Sequence, residues 1–214
     1  MKITSLKDKI IEYICDAIVQ EKYKQKDQIK EAVLAKELNV SRAPVREALN
    51  ELVNLGILVQ FPRRGVFVKE IKQQNIINTY KTKGLIEGFL ASEFVLRATK
   101  NDFKEIDRFI GDMEKAAHDS QKKCIKIGDE FHKYYLKYAL NDILIDTLQR
   151  VNKKSQILFH KNWAKLYTPK EIVNRHKKIA NILKSKDKEL IEIVIREHYF
   201  ETGMKIALEC GDEL

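Results

Sequence analysis

Ser41-Arg42-Ala43-Pro44-Val45-Arg46-Glu47-Ala48-Leu49 sets two arginines four residues apart, so a helix through this stretch carries both on one face. Val45, Leu49 and Leu52 recur at helical spacing on the opposite face and pack inward. Ser41 stands where an N-cap is needed, and Pro44 falls in the first turn, where the missing N–H would have no partner anyway. Upstream, Ala32 to Leu38 reads as a second short helix with the small Ala35 at the crossing. Asn39-Val40 leaves the turn length with which a helix-turn-helix sets its second helix in a major groove. Downstream, Gly56 follows Leu55 as a left-handed stop, and Ile57–Phe61 and Val66–Val68 read as two short strands. Between them lies Pro62-Arg63-Arg64-Gly65, a hairpin tip whose guanidinium groups can reach a phosphate or a minor groove. The pattern nominates Ser41, Arg42, Ala43, Arg46, Arg63, Arg64 and Gly65 as DNA-contacting residues. A small helical domain with an ordinary hairpin is the plainer alternative.

The same residues carry a family resemblance. Leu34-Ala35, Val40 to Leu49, Leu52 to Gly56 and Arg64 to Val68 follow the pattern of the winged-helix domain of GntR bacterial transcription regulators, which residues 5–70 resemble. Two positions depart from that pattern: Glu31-Ala32 stands where an arginine or a glutamate-arginine pair is common, and Lys26-Asp27 replaces the usual Pro-Gly. The resemblance implies a homodimer gripping two half-sites of a palindromic double-stranded operator. Arg42 and Arg46 are then the candidates for bidentate guanine contacts, and an effector in the second domain shifts the two winged domains.

At 214 residues with three prolines and eight glycines, the chain has room for two largely helical domains. The net charge of +9 suits a polyanionic partner, but residues 1–70 hold 13 Lys+Arg against 10 Asp+Glu, which leaves +6 of the excess in the remainder. Charge alone does not identify the DNA-binding end. Cys15, Cys124 and Cys210 are odd in number and lack metal-ligand spacing, which reads as reduced thiols in a cytoplasm. Nothing resembles a signal peptide or a membrane span, so a cytoplasmic protein without a membrane partner is expected.

A first helix is expected from Ser5, with Asp8 in capping-box position, to about Glu21, burying Leu6, Ile10, Ile14, Ala17 and Ile18. Lys69 to Asn75 is polar and aperiodic, as a linker would be. Beyond it, helical periodicity is interrupted near Asn101-Asp102, Ser120, Asn141-Asp142, Thr168-Pro169 and Ser185 to Asp187. The expected architecture is mainly α. A winged helix-turn-helix of three helices plus a β-hairpin (1–70) is joined by a linker (71–75) to an antiparallel bundle of about six helices (76–214).

His132, His176 and His198 each fall on the apolar face of a separate helix in the second half. They read either as hydrogen-bonded core residues or, if they converge, as neutral imidazole ligands for Zn²⁺, Ni²⁺ or a similar divalent ion. Residues 76–211 resemble the FCD ligand-binding domain of one GntR branch, which commonly holds a metal through D-x-x-F-H and histidines on two later helices. Phe131-His132, His176 and His198 match those positions. Gly128 stands in place of the acid, which leaves Asp129, three before His132, as the nearest substitute. Lys83, four before Glu87, matches a basic residue that faces the pocket in that family, which implies a small carboxylate effector beside the metal; a solvated surface pair is the other reading. Gly84 and Gly88 allow close helix packing, and His118 and His160 have no comparable setting. No catalytic residue is assigned. Two rival readings are a metal-dependent hydrolase or isomerase and an architectural DNA-binding protein whose helical domain is purely structural.

Overall fold

A computed structural model describes residues 5–209, with only the helical backbone described for residues 157–164. His160 and Cys210 therefore lie outside the described side chains. The chain forms two compact units that divide principally between Lys72 and Gln73.

In the first unit, α1 (Leu6–Val19) starts with the expected reciprocal cap between Ser5 and Asp8. It ends short of Glu21, which adopts φ +60°. Its buried stripe differs from the expected one: Leu6 is half exposed, and Ile11 and Cys15 join Ile10, Ile14 and Ala17 in the core. The apolar face starts one turn later because Leu6 belongs to the solvated first turn. Strand β1 (Gln28–Ile29), absent from the sequence reading, precedes α2 (Glu31–Glu37) and α3 (Arg42–Asn54). Both of these helices end in a Schellman motif. Asn39 (φ +51°) lets Val40 N–H reach Ala35 O and Asn39 N–H reach Lys36 O, while Gly56 (φ +69°) lets Ile57 N–H reach Leu52 O and Gly56 N–H reach Val53 O. The turn between α2 and α3 is thus set by backbone hydrogen bonds. Ser41 occupies the N-cap position of α3, but its hydroxyl makes no capping hydrogen bond, contrary to expectation.

β2 (Leu58–Phe61) and β3 (Gly65–Val68) form the hairpin, with Leu58 opposite Val68 and Phe61 opposite Gly65. β1 adds antiparallel to the far side of β3, which gives the order β1-β3-β2. Gln28 Nε2 donates to Arg64 O at 2.7 Å and so ties this added strand to the hairpin tip. Val45, Ala48, Leu49 and Leu52 of α3 meet Ile10, Ile14, Leu34, Ile57 and Val68 in one apolar core.

The second unit is helical throughout its described residues: α4 (Gln73–Arg97), α5 (Lys100–Asp119), α6 (Gln121–Tyr134), a 3₁₀ turn (Tyr135–Tyr138), α7 (Asp142–Leu166, of which residues 153–161 group with the first unit), α8 (Pro169–Ser185) and α9 (Lys188–Glu209). Helix α4 takes in residues 73–75, which the sequence reading left in the linker. Thr168 caps α8 with Pro169 at its first position and Glu171 returning the hydrogen bond, as expected. Thr99 and Asp102 form the same box on α5. Asp102, only 1% exposed, also accepts from the hydroxyls of Tyr134 and Tyr138 and pairs with Lys137, so the 3₁₀ turn is fastened to the start of α5.

Helices α4 and α9 run antiparallel in close contact along three glycines. A Cβ at Gly84 would stand 3.0 Å from Arg196 Cα, one at Gly88 3.1 Å from Glu192 O, and one at Gly203 2.6 Å from Tyr80 Cβ. This contact brings Lys83 and Glu87 of α4 level with His198 and Tyr199 of α9. Gly203→Ala is expected to destabilise the protein by about 1–3 kcal/mol through overpacking against Tyr80. A lowered urea midpoint checks this.

Candidate functional site

The N-terminal turns of α3 expose Ser41, Arg42, Ala43 and Arg46, while Val45 is fully buried beneath them. One surface element therefore presents both arginines, as the four-residue spacing requires. Arg46 forks onto Glu31 at the start of α2, with Nε to Oε2 at 2.9 Å and Nη2 to Oε1 at 2.8 Å. That fork occupies one edge of the guanidinium and leaves the Nη1 edge pointing onward. The hydrogen bond from Arg46, followed by its charge and that of Arg42, outweighs desolvation and holds the Glu31 carboxyl below its ordinary value. In the wing, Arg64 N–H closes a turn onto Phe61 O at 3.1 Å, with Arg63 at φ +60° and Gly65 at φ +102°. The Arg64 guanidinium lies across the edge-to-face pair Phe61–Phe67, 5.6 Å and 6.0 Å from the two rings. Arg63 and Arg64 are both exposed.

In the helical unit, His132 of α6, His176 of α8 and His198 of α9 converge, with one ligand nitrogen from each lying within 4.8 Å of the others. Their ring centroids are 5.1 to 5.4 Å apart. Two of the tautomers follow from their partners. His176 Nδ1 lies 2.7 Å from Ile172 O, and since a carbonyl only accepts, Nδ1 carries the proton and Nε2 the lone pair. His132 Nδ1 lies 2.6 Å from the Tyr135 hydroxyl, which itself donates to Glu87 Oε2 at 2.8 Å. The hydroxyl therefore accepts from His132, and the lone pair again falls on Nε2. Glu87 Oε2 also accepts from Tyr199 at 2.7 Å and stands 3.3 Å from His132 Nδ1.

His176 and His198 are kept neutral. Burial above all, then the charge of His132, pushes His176 down to about 3 against the pull of Ile172 O. Burial likewise drives His198 well below its ordinary value, helped by His132, His176, Arg175 and Lys83. Desolvation works to raise the Glu87 carboxyl, but its hydrogen bond with His132, the charges of His132 and Lys83, and the Tyr199 hydroxyl overcome it, so the group stays ionised. Three clustered imidazoles, two with their outer nitrogens fixed by a carbonyl and a carboxylate-tyrosine pair, form a donor set that could hold a transition-metal ion. Metal–nitrogen bonds of about 2.0–2.1 Å put neighbouring ligands roughly 3.3 Å apart, so small side-chain rotations close the present spread.

Gly128 gives the His176 ring its room: a Cβ there would stand 2.8 Å from His176 Nε2. Asp129 is not among the clustered ligand groups. It lines the same cavity and its charge acts on Lys83. Lys83 and Glu87 are 6% and 2% exposed, which removes the surface-pair reading. Burial lowers the Lys83 ammonium, against the charges of Glu87 and Asp129, and its Nζ lies over the Tyr199 ring at 4.7 Å. Together with the histidines, Lys83 borders a small cavity of about 100 Å³, below the roughly 300–1,000 Å³ of sites for drug-sized ligands. His118 is exposed at the end of α5, away from these rings. Sequence reasoning did not find the roles of Glu87, Tyr135 and Arg175. The available signals were Glu87 one turn beyond Lys83, Tyr135 three residues after His132, and Arg175 immediately before His176.

Residues 78–201 match the FCD domain, and residues 6–68 match the bacterial regulatory proteins of the gntR family. The chain belongs to the GntR family. Among relatives of this GntR protein, the uncharacterized HTH-type transcriptional regulator YdhC of Bacillus subtilis is 25% identical over 89% of the chain and 87% of its own length. The HTH-type transcriptional repressor RspR of Escherichia coli is 22% identical over 78% of the chain and 74% of its own. The solved structure of E. coli McbR/YncC shares the fold, with a TM-score of 0.67 at 19% identity over 94% of this chain and 96% of that one. This GntR protein is a DNA-binding transcription regulator, not an enzyme, so the hydrolase or isomerase reading of the three histidines falls away. No helix among the described residues is long and apolar enough to cross a membrane.

The depressed His176 value fixes a sign for acid stability. A neutral imidazole that resists protonation in the folded state stabilises fully above pH 6.5 and loses that contribution as pH falls toward 3. Chelator-treated wild type should lose on the order of a few kcal/mol over that window. In His176→Asn its share of the loss should be absent while that of His198 remains, and urea denaturation at stepped pH measures the difference.

Proposed function

We propose that this regulator acts in the cytoplasm as a homodimer on a palindromic operator, and that its DNA affinity responds to a small organic acid held beside a divalent transition metal in the helical domain. The observation that carries the effector half is the convergence of His132, His176 and His198 beside the buried Lys83, with two of the outer nitrogens fixed by their partners. Zn²⁺, Ni²⁺ or a similar ion would be held by these three imidazoles and, when bound, supplies a point of attachment for a carboxylate oxygen. Lys83 neutralises the acid's remaining charge. Asp129, on the wall of the same cavity, bears on Lys83 and is the acid available to complete the ligand set.

The working division is a DNA-binding domain over residues 1–70 and an effector and dimerisation domain from Gln73 onward. Arg42 and the outward edge of Arg46 read guanines in the major groove, with Ser41 and Ala43 against the backbone. Arg63, Arg64 and Gly65 of the wing reach phosphate or the minor groove. Support for a dimer comes from an exposed apolar strip along the α4/α9 seam: Leu85, Phe89 and Leu96 on one helix, Ile193 and Phe200 on the other. Pairing two copies doubles a weak half-site contact. The acid alters DNA binding only insofar as it favours one arrangement of the winged domains over another.

Elemental analysis and operator titration test the two halves together. Wild type should carry near-stoichiometric metal and change its operator affinity when a stabilising acid is added, whereas His132→Ala/His176→Ala should lose the metal and the response but keep basal DNA binding. Arg46→Ala should weaken specific binding by roughly 1–3 kcal/mol with metal content unchanged. Absence of metal from both proteins, or an operator affinity indifferent to metal and acids, would defeat the effector half.

A further inference from the structure

Arg175 precedes His176 on α8, yet its guanidinium crosses to α9. Nη2 donates to His198 O at 2.6 Å and to Thr202 Oγ1 at 3.1 Å, and Nη1 pairs with Glu201. The group stacks over the Tyr167 ring at 4.3 Å. Arg175 borders the same cavity as Lys83 and the three histidines, and both cations bear on His198. The cavity therefore has two fixed cations besides the imidazoles. Their counter-charges differ: Asp129 faces Lys83 from within the cavity wall, whereas Glu201 is 57% exposed and Arg175 only 18%. An exposed carboxylate gives up such a pairing at little cost, because water solvates it equally well. Glu87, the remaining acid nearby, is committed to His132, Tyr135 and Tyr199.

We propose that Arg175 is a second anion-recognition residue and that the effector is a dicarboxylic acid. One carboxylate lies at the imidazole cluster beside Lys83. The other draws Arg175, which borders this cavity and an adjoining one, away from Glu201, which borders only the adjoining one. The planar guanidinium, oriented by His198 O and Thr202 and backed by Tyr167, suits a carboxylate better than a point charge would. A monocarboxylic acid leaves Arg175 with Glu201 and forgoes this contact. The inference rests on the proposed effector pocket and adds the class of acid it selects.

Calorimetric titration of Ni²⁺-loaded full-length protein with malonate, succinate and glutarate, each against the monocarboxylate of equal chain length, separates the possibilities. One diacid should bind roughly tenfold or more tightly than its monoacid. Arg175→Gln should erase that preference without weakening the monoacid, Arg175→Lys should retain part of it, and Glu201→Gln should strengthen the diacid severalfold. Equal binding of diacid and monoacid, or equal weakening of both by Arg175→Gln, would overturn the proposal. Should Arg175→Gln fail to fold, an unchanged diacid preference in Glu201→Gln would do so. A preference that depends on Arg175 but persists in chelated protein would uphold this inference while removing the metal from the pocket. Failure of every acid to bind would remove both.

Discussion

Glu87 keeps a negative charge at 2% exposure, and the surroundings of the histidine cluster follow from that constraint. A carboxylate so deep survives only while its oxygens are hydrogen-bonded and a countercharge stands near. Tyr135, Tyr199, His132 and Lys83 meet those needs from the 3₁₀ turn, α9, α6 and α4. The close glycine contact between α4 and α9 lets Tyr199 reach Glu87, and the Asp102 network anchors the 3₁₀ turn that carries Tyr135. In return, the carboxylate fixes the proton of His132 on Nδ1 through Tyr135. Ile172 O does the same for His176 without any charge. The two rings thereby offer lone pairs at one point, which an apolar packing of the same helices would not specify.

The DNA-reading unit is organised on another principle. Its geometry comes from backbone closure at Asn39 and Gly56 and from the third strand, which braces the wing through Gln28. Its arginines are solvated, and the Glu31 fork on Arg46 stores little energy at such exposure. What the fork supplies is direction, since a guanidinium held on one edge presents its other edge in a fixed orientation.

Local signals were legible in the sequence where the physics is local. The Ser5–Asp8 and Thr168–Glu171 boxes, Gly56 and the hairpin each depend on residues within a turn or two, and all of them appear in the structure. The convergence of the three histidines was legible only as one of two alternatives, because periodicity says which way a ring points within its helix and nothing about where the helices cross. Strand β1 has two residues, too few to show alternation, and exists because β3 offers an edge. Leu6 and Ile11 exchanged places because an apolar residue in the first turn packs only if something covers that end. Glu87 and Arg175 read as ordinary charges, since their depth and partners are set by α9, more than twenty residues further along the chain from either. The missing acid at Gly128 was visible at once, but the use of its space by His176 was not.

The central claim is that His176 is held as a neutral Nδ1–H tautomer with Nε2 free to bind a metal. Long-range ¹⁵N–¹H correlation on histidine-labelled, chelator-treated protein at neutral pH reads this directly. His176 should show a protonated Nδ1 and an unprotonated Nε2, with the Nε2 resonance moving when metal is added. A protonated Nε2 or an imidazolium pattern at His176 would contradict the account.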